Sequence, residues 1–136
     1  VLGFDCEWAA SLTSRRKVAV IQLSSLSGYT VIFQVKTRRG REGGVMPNAL
    51  KELMEDPEIQ LAGVGVAGDL GRIKTDYDVD GTGAVDVGAL AGQHLGVPIG
   101  ERSLGGLTAS FLRRRLKKDG VRTSDWEASP LSDEQV

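Results

Sequence analysis

One cysteine and one histidine are all the thiol and imidazole this chain of 136 residues carries. A lone Cys6 excludes an internal disulfide, and with a lone His94 it leaves no Cys/His zinc cluster. Cys6 reads as a small buried apolar residue, and His94 reads as a helix-surface or packing residue. No apolar run is long enough to span a membrane, and no secretory signal pattern is present. The net charge of −1 gives no global field to draw nucleic acid, so any basic surface must be local. Repeats and low-complexity segments are absent. What remains is ordinary soluble-domain composition, 40% hydrophobic and 26% charged, in a length that suits one domain with a real core.

The organising stretch is Val1-Leu2-Gly3-Phe4-Asp5-Cys6-Glu7-Trp8. Its apolar and β-favouring residues show no helical period and predict a strand. Strand side chains alternate faces, so Asp5 and Glu7 share one face, about 6.6 Å apart, and Phe4, Cys6 and Trp8 share the other. Paired carboxylates at the end of an apolar strand repel each other and lose hydration; a divalent cation would compensate. An acidic strand end in plain solvent fits Asp-x-Glu equally well.

Further along, Val18 to Leu23 and Tyr29 to Val35 read as strands around a Ser27-Gly28 turn, and short connections make the first three strands antiparallel neighbours. Lys36 to Gly44 is a basic, glycine-rich loop. A helix follows Pro47 and stops at Asp56-Pro57. Ile59 to Val66 has strand character, and a helix from Ala67 places Leu70, Ile73 and Tyr77 on one face. Ala84-Val85 is a short strand, and Asp86 caps a helix through Leu95 that Gly96-Val97-Pro98 stops. Ser103 caps another helix, whose apolar face runs Leu104, Leu107, Phe111, Leu112, Leu116. Arg113, Arg114, Arg115, Lys117 and Lys118 crowd its end, either to meet phosphates or as cations that suit a helix C-terminus. The last residues read as a capping box, Ser132 with Gln135, and a hydrophobic staple, Leu131 with Val136, which announce a helix. The expectation is that the chain is an excerpt from a longer protein, with a C-terminal helix missing. An exposed apolar groove and lowered stability would follow.

Gly63, Gly65 and Gly68 match G-x-G-x-x-G between a strand and a helix, and Asp86 lies near the distance of a ribose-binding acid. That dinucleotide-binding reading leaves Asp5 and Glu7 without a role, and the fingerprint is a weak signal among 18 glycines. The rival reading takes Asp69, at the first turn of the helix, as the important residue. If its strand lies beside the first, Asp69 faces Asp5 and Glu7, and three carboxylates suit a pair of magnesium or manganese ions. Helix capping is the plainer role for Asp69.

Phe4-Asp5-Cys6-Glu7-Trp8 resembles the first motif of the DEDD-type 3′→5′ exonucleases. Val18 to Leu23 resembles the strand that follows it, and Ala62 to Asp69 resembles the second motif. Ser103 to Leu112, then Trp126 and Pro130-Leu131-Ser132, resemble the approach to the third. The pattern is that of the exonuclease domain of the Werner syndrome helicase type, with ribonuclease D more distant, and it covers essentially the whole chain. The resemblance implies an α/β, ribonuclease H-like fold over residues 1–136, with a mixed sheet whose strands 1–3 are antiparallel. It implies metal-dependent hydrolysis at DNA or RNA 3′ ends with two Mg²⁺ or Mn²⁺ ions. Asp5 would bridge the ions, Glu7 would complete the catalytic one, and Asp69 would hold the second, mostly through water. The third motif, a tyrosine with an aspartate four residues on, would lie past Val136, so the parent is expected to be active and this chain nearly inactive. Gly71 stands where close relatives often carry an aromatic. A catalytically degenerate nucleic-acid-binding module is the other expectation. An attached helicase or other domain, and an intracellular, even nuclear, setting complete the reading.

Overall fold

The computed structural model describes residues 1–39, 43–117 and 120–136, the Arg122 side chain excepted. Residues 40–42 of the basic loop and Lys118 of the basic run fall outside the described residues.

Alternation along the first strand sets the architecture. In β1 (Leu2–Glu7), Phe4 and Cys6 are buried while Asp5 is exposed and Glu7 half-buried. β1 pairs antiparallel with β2 (Val20–Ser24), with Asp5 opposite Gln22 and Glu7 opposite Val20. β2 pairs antiparallel with β3 (Thr30–Gln34). On its other side β1 pairs in parallel with β4 (Leu61–Gly63), which pairs in parallel with β5 (Ala84–Asp86). The order is β3-β2-β1-β4-β5, so the first three strands are antiparallel neighbours as expected. The predicted strand over 59–66 shortens to three residues because Gly65 turns the chain into a helix.

Two helices cover the β1 core face. α1 (Asn48–Glu55) inserts Leu50 and Met54, and α2 (Val66–Tyr77) inserts Val66, Leu70 and Ile73; all join Phe4, Cys6, Ile21 and Leu61 in one core. Pro47 stands just before α1, with its fixed φ suited to the entry. Ala19, Val20 and Trp126 form a smaller core on the other face, against which Leu131 packs. α3 (Val87–Leu95) starts at Asp86, whose carboxylate accepts the Ala89 N–H at 2.8 Å, and ends at Gly96 in the left-handed conformation.

Buried carboxylates fasten the connections. Asp76, 6% exposed, accepts the Val18 N–H at 2.8 Å and pairs with Arg15, which pins the long β1–β2 loop to the end of α2. Glu127, 3% exposed, pairs with Lys36 at 2.6 Å and ties the C-terminal region to the chain after β3.

α4 (Leu104–Leu112) differs from expectation. Ser103 caps it through the Gly106 N–H at 3.1 Å, as expected, but the helix stops at Leu112 rather than running to Leu116. Arg113 takes a left-handed φ of 53° and its N–H returns to the Thr108 carbonyl. The basic run therefore lies beyond the helix. Leu107 is buried, whereas Leu104, Phe111 and Leu112 are exposed. At the end, the Ser132 N–H donates to Gln135 Oε1 at 2.8 Å, which is the back-reaching half of the capping box. The staple does not form: Leu131 is half-buried, but Val136 is 82% exposed.

Candidate active site

Parallel strands end at the same edge of a sheet, and side chains at those ends converge. β1 ends in Asp5-Cys6-Glu7 and Trp8 follows; β4 ends at Gly63 and α2 begins three residues on. Two glycines allow this tight return. A Cβ on Gly63 would stand 2.6 Å from the Phe4 carbonyl oxygen, so only glycine lets β4 lie that close to β1. Gly65 has φ 76°, a conformation that L side chains rarely adopt, and it turns the strand into α2. Asp69 then emerges in the first turn of α2, beside the end of β1.

Asp5, Glu7 and Asp69 line one groove of about 880 Å³. Gln22 and Ser24 of β2, Ser103 and Leu104 at the start of α4, and Thr123 complete its walls. Among the described residues these are the carboxylates the groove contains.

Two of the carboxyls, Asp5 and Asp69, are pushed above the ordinary carboxylate value. Loss of hydration and repulsion from Asp5 push Asp69 up to about 6, against a hydrogen bond from the Cys6 thiol and the charge of Arg72. Asp5 is also raised, chiefly by lost hydration although the residue as a whole is exposed, and its Oδ1 accepts the Cys6 N–H at 2.9 Å. Burial, then the charges of Asp69, Asp5 and Glu7, drive the Cys6 thiol upward, so it stays protonated and donates to Asp69. Cys6 is buried, as expected, but it also serves the site, which its spacing alone did not reveal.

Arg72 was likewise invisible as a site neighbour in the sequence, although it stands three residues after Asp69 on the same helix. Its guanidinium lies 3.8 Å from the Trp8 ring centroid and donates to the Arg16 carbonyl. It thus braces the residue after Glu7, the helix of Asp69 and the β1–β2 loop against each other.

Carboxylate oxygens are hard donors that suit Mg²⁺ or Mn²⁺. Among the described residues no three His, Cys, Asp or Glu side chains stand close enough to hold one ion between them. The donor set fits an ion of the magnesium kind, which commonly takes one or two carboxylates and fills its remaining positions with water and phosphate oxygens.

The other sequence candidates resolve as follows. Asp86 accepts the Ala89 N–H and the Gly65 N–H, both at 2.8 Å, so it caps α3 and fastens the turn. That occupies the acceptor which the dinucleotide reading assigned to a ribose. Gly68 sits inside α2 with open space around it, as does Gly71. His94 is exposed near the end of α3.

The family model described as 3′-5′ exonuclease matches residues 1–136. The chain is 34% identical over 139 residues to the mouse (Mus musculus) bifunctional 3′-5′ exonuclease/ATP-dependent helicase WRN, covering 99% of this chain and 9% of that protein. It is 30% identical to an Arabidopsis thaliana 3′-5′ exonuclease, covering 99% of this chain and 46% of the relative. The chain thus spans less than half the length of either. Among solved structures, the EXD2 exonuclease domain soaked in Mn and GMP is similar at 29% identity and a TM-score of 0.57, over 98% of this chain and 66% of that one. Escherichia coli RNase D shares the fold, with a TM-score of 0.76 at 21% identity over 98% of this chain and 33% of that one. The order of the five strands, the two acidic motifs meeting at one sheet edge and the match over the full length agree: the chain belongs to the 3′-5′ exonuclease family, with the DEDDy-type first and second motifs and the ribonuclease H-like fold.

Proposed function

We propose that the groove is a metal-dependent phosphodiester hydrolysis site acting on nucleic-acid 3′ ends, with Asp5, Glu7 and Asp69 as its metal-holding carboxylates. The observation that carries this reading is the convergence of three carboxylates in one groove where β1 and α2 meet, two of them, Asp5 and Asp69, raised by lost hydration. In the two-ion form of the reaction, Asp5 would touch both ions, Glu7 one and Asp69 the other. Bound ions of this class lower the pKa of an attacking water and stabilise the leaving oxygen. The protein's own share is to supply hard donors in a fixed arrangement. β1 fixes Asp5 and Glu7 through its pairing with Gln22 and Val20 of β2, and Arg72 and the Cys6 thiol fix the Asp69 end. The relatives soaked in Mn and in Mg and GMP support divalent ions and a nucleotide as the ligand class.

The groove's three carboxylates fall one short of the four that the family pattern implies, so we further propose that this chain alone cuts weakly. The same shortfall favours a second reading, a module that binds strands without cutting.

A nuclease assay separates the two. DNA and RNA carrying a 5′ label are incubated with Mg²⁺ or Mn²⁺ and this chain or its Asp5→Ala variant. Stepwise shortening that Asp5→Ala lowers by about three orders of magnitude supports the hydrolase, the size expected when several kcal/mol of charge stabilisation is lost. Binding with no shortening by any form supports the module.

A further inference from the structure

The basic run is the feature that the proposed site leaves unused. Arg113, Arg114, Arg115 and Lys117 are all exposed, and among the described residues none of their side chains pairs with an acid. This local charge stands out in a chain of net charge −1. Its place in the fold is specific. α4 begins at the groove, where Ser103 and Leu104 line the wall, and leads away to Arg113. After the run, the short helical turn Gly120–Thr123 brings the chain back, and Thr123 lines the groove again. The run therefore lies, in the sequence, between two segments that both line the groove, the start of α4 and Thr123. Nine residues of helix span about 14 Å, which corresponds to about four phosphates of a stacked strand.

We propose that Arg113, Arg114, Arg115 and Lys117 hold the phosphate backbone of the substrate strand about four nucleotides back from the 3′ end placed in the groove. The inference rests on the exonuclease reading and deepens it: the groove takes the end of the strand, and the run holds its body. A strand too short to reach the run gains nothing from it. Contacts to phosphates are indifferent to base sequence, and they release condensed counterions, which makes them strongly salt-dependent.

The test is fluorescence anisotropy with this chain and labelled oligothymidylate of about 15 nucleotides, in EDTA so that nothing is cut, over about 50 to 300 mM salt. The variant combines Arg113→Gln, Arg114→Gln, Arg115→Gln and Lys117→Gln; a second variant, Arg113→Lys, Arg114→Lys and Arg115→Lys, keeps the charge. We expect the slope of log affinity against log salt to fall by about three in the glutamine variant, at about 0.7 per phosphate contact on a single strand. We expect the lysine variant to keep the wild-type slope, and a trinucleotide to bind all forms alike. An unchanged slope in the glutamine variant overturns the inference while wild-type binding leaves the exonuclease reading standing. A wild type that binds no oligonucleotide at any salt overturns both. Loss of binding to phosphatidylserine vesicles, with the oligonucleotide slope unchanged, would assign the run to a membrane surface and overturn it as well.

Discussion

Asp69 sits where water is scarce and a second carboxylate is near, and together these push it up to about 6. Because that folded-state value lies above the ordinary 3.8, the stability that protonation lends is complete below about pH 4 and is lost as the pH rises through about 6. Above that, the charged carboxylate destabilises the metal-free fold. Asp69→Asn should therefore melt higher than the wild type at about pH 7.5 without metal, by about 3 °C, once solvent screening reduces the effect to about 1 kcal/mol. At about pH 4 the two should melt together. Saturating Mn²⁺ should reverse the order at the higher pH, since only the wild type keeps the Asp69 carboxylate as a metal donor. Scanning calorimetry at both pH values, with and without Mn²⁺, checks the sign; a wild type that melts higher without metal at pH 7.5 would refute it. Protons compete with the ion for the same oxygens, so the Mn²⁺-induced rise in melting temperature should itself shrink as the pH falls through about 6. None of this was legible in Asp69 alone, which as a residue in a first helical turn reads as a cap. Its meaning came from the strand beside it.

At the scale of elements, α2 is both wall and brace. Arg72 joins it to Trp8 and to the loop at Arg16, so Arg72→Ala should cost about 2 kcal/mol, the sum of a stacked cation and a hydrogen bond. Arg72→Lys should recover less than half of that, because an ammonium keeps the charge but not the flat face. Urea denaturation of both variants measures it, and equal stabilities for lysine and arginine would show that charge alone is at work. α3 offers a second check. Asp86→Ala removes the cap and the acceptor for the Gly65 N–H and should cost about 1–2 kcal/mol, and NAD should leave the melting temperature of the wild type unchanged. A clear stabilisation by NAD that Asp86→Ala abolishes would restore the dinucleotide reading. The cap at Asp86, the cap at Ser103 and the three antiparallel strands were legible because each has a local cause: a side-chain acceptor, or strand residues joined by segments without helical periodicity. The end of α4 was not. Leu104, Leu107, Phe111, Leu112 and Leu116 keep a helical period, and no glycine or proline stands between Leu107 and Leu116. Yet Arg113 takes the left-handed conformation that closes the helix. Periodicity marks which residues could share a face, whereas burial of that face decides how far a helix extends, and among those five only Leu107 is buried.

Across the whole molecule, the strand order follows from the connections: a long loop without a helix returns β1 antiparallel into β2, a short turn joins β2 to β3, and the helical crossovers add β4 and β5 in parallel. Asp5 and Glu7 on one strand were consistent with a plain acidic edge, and the sequence pattern of the exonuclease motifs raised them above that. Their meeting with Asp69 in one groove is a property of the sheet, since it needs β4 to stop beside Phe4 and turn into α2 while β1 runs on to Glu7. The same view shows what the described residues leave uncovered. Leu104, Phe111 and Leu112 are between 52% and 67% exposed on one short helix. Contiguous apolar surface of this kind favours association between molecules more than it supports the fold. Phe111→Ser with Leu112→Ser should therefore change the stability of the chain by no more than about 0.5 kcal/mol, the usual range for exposed positions. The same pair should reduce concentration-dependent association. Sedimentation velocity over a hundredfold range of protein concentration, beside urea melts of both forms, reads the two effects separately. If the double variant loses several kcal/mol, that face is packed in solution and α4 belongs to the core. If stability holds and association falls, α4 serves as a wall of the groove at its first turn and as the arm that carries Arg113 to Lys117 at its last, without being needed to hold the sheet together.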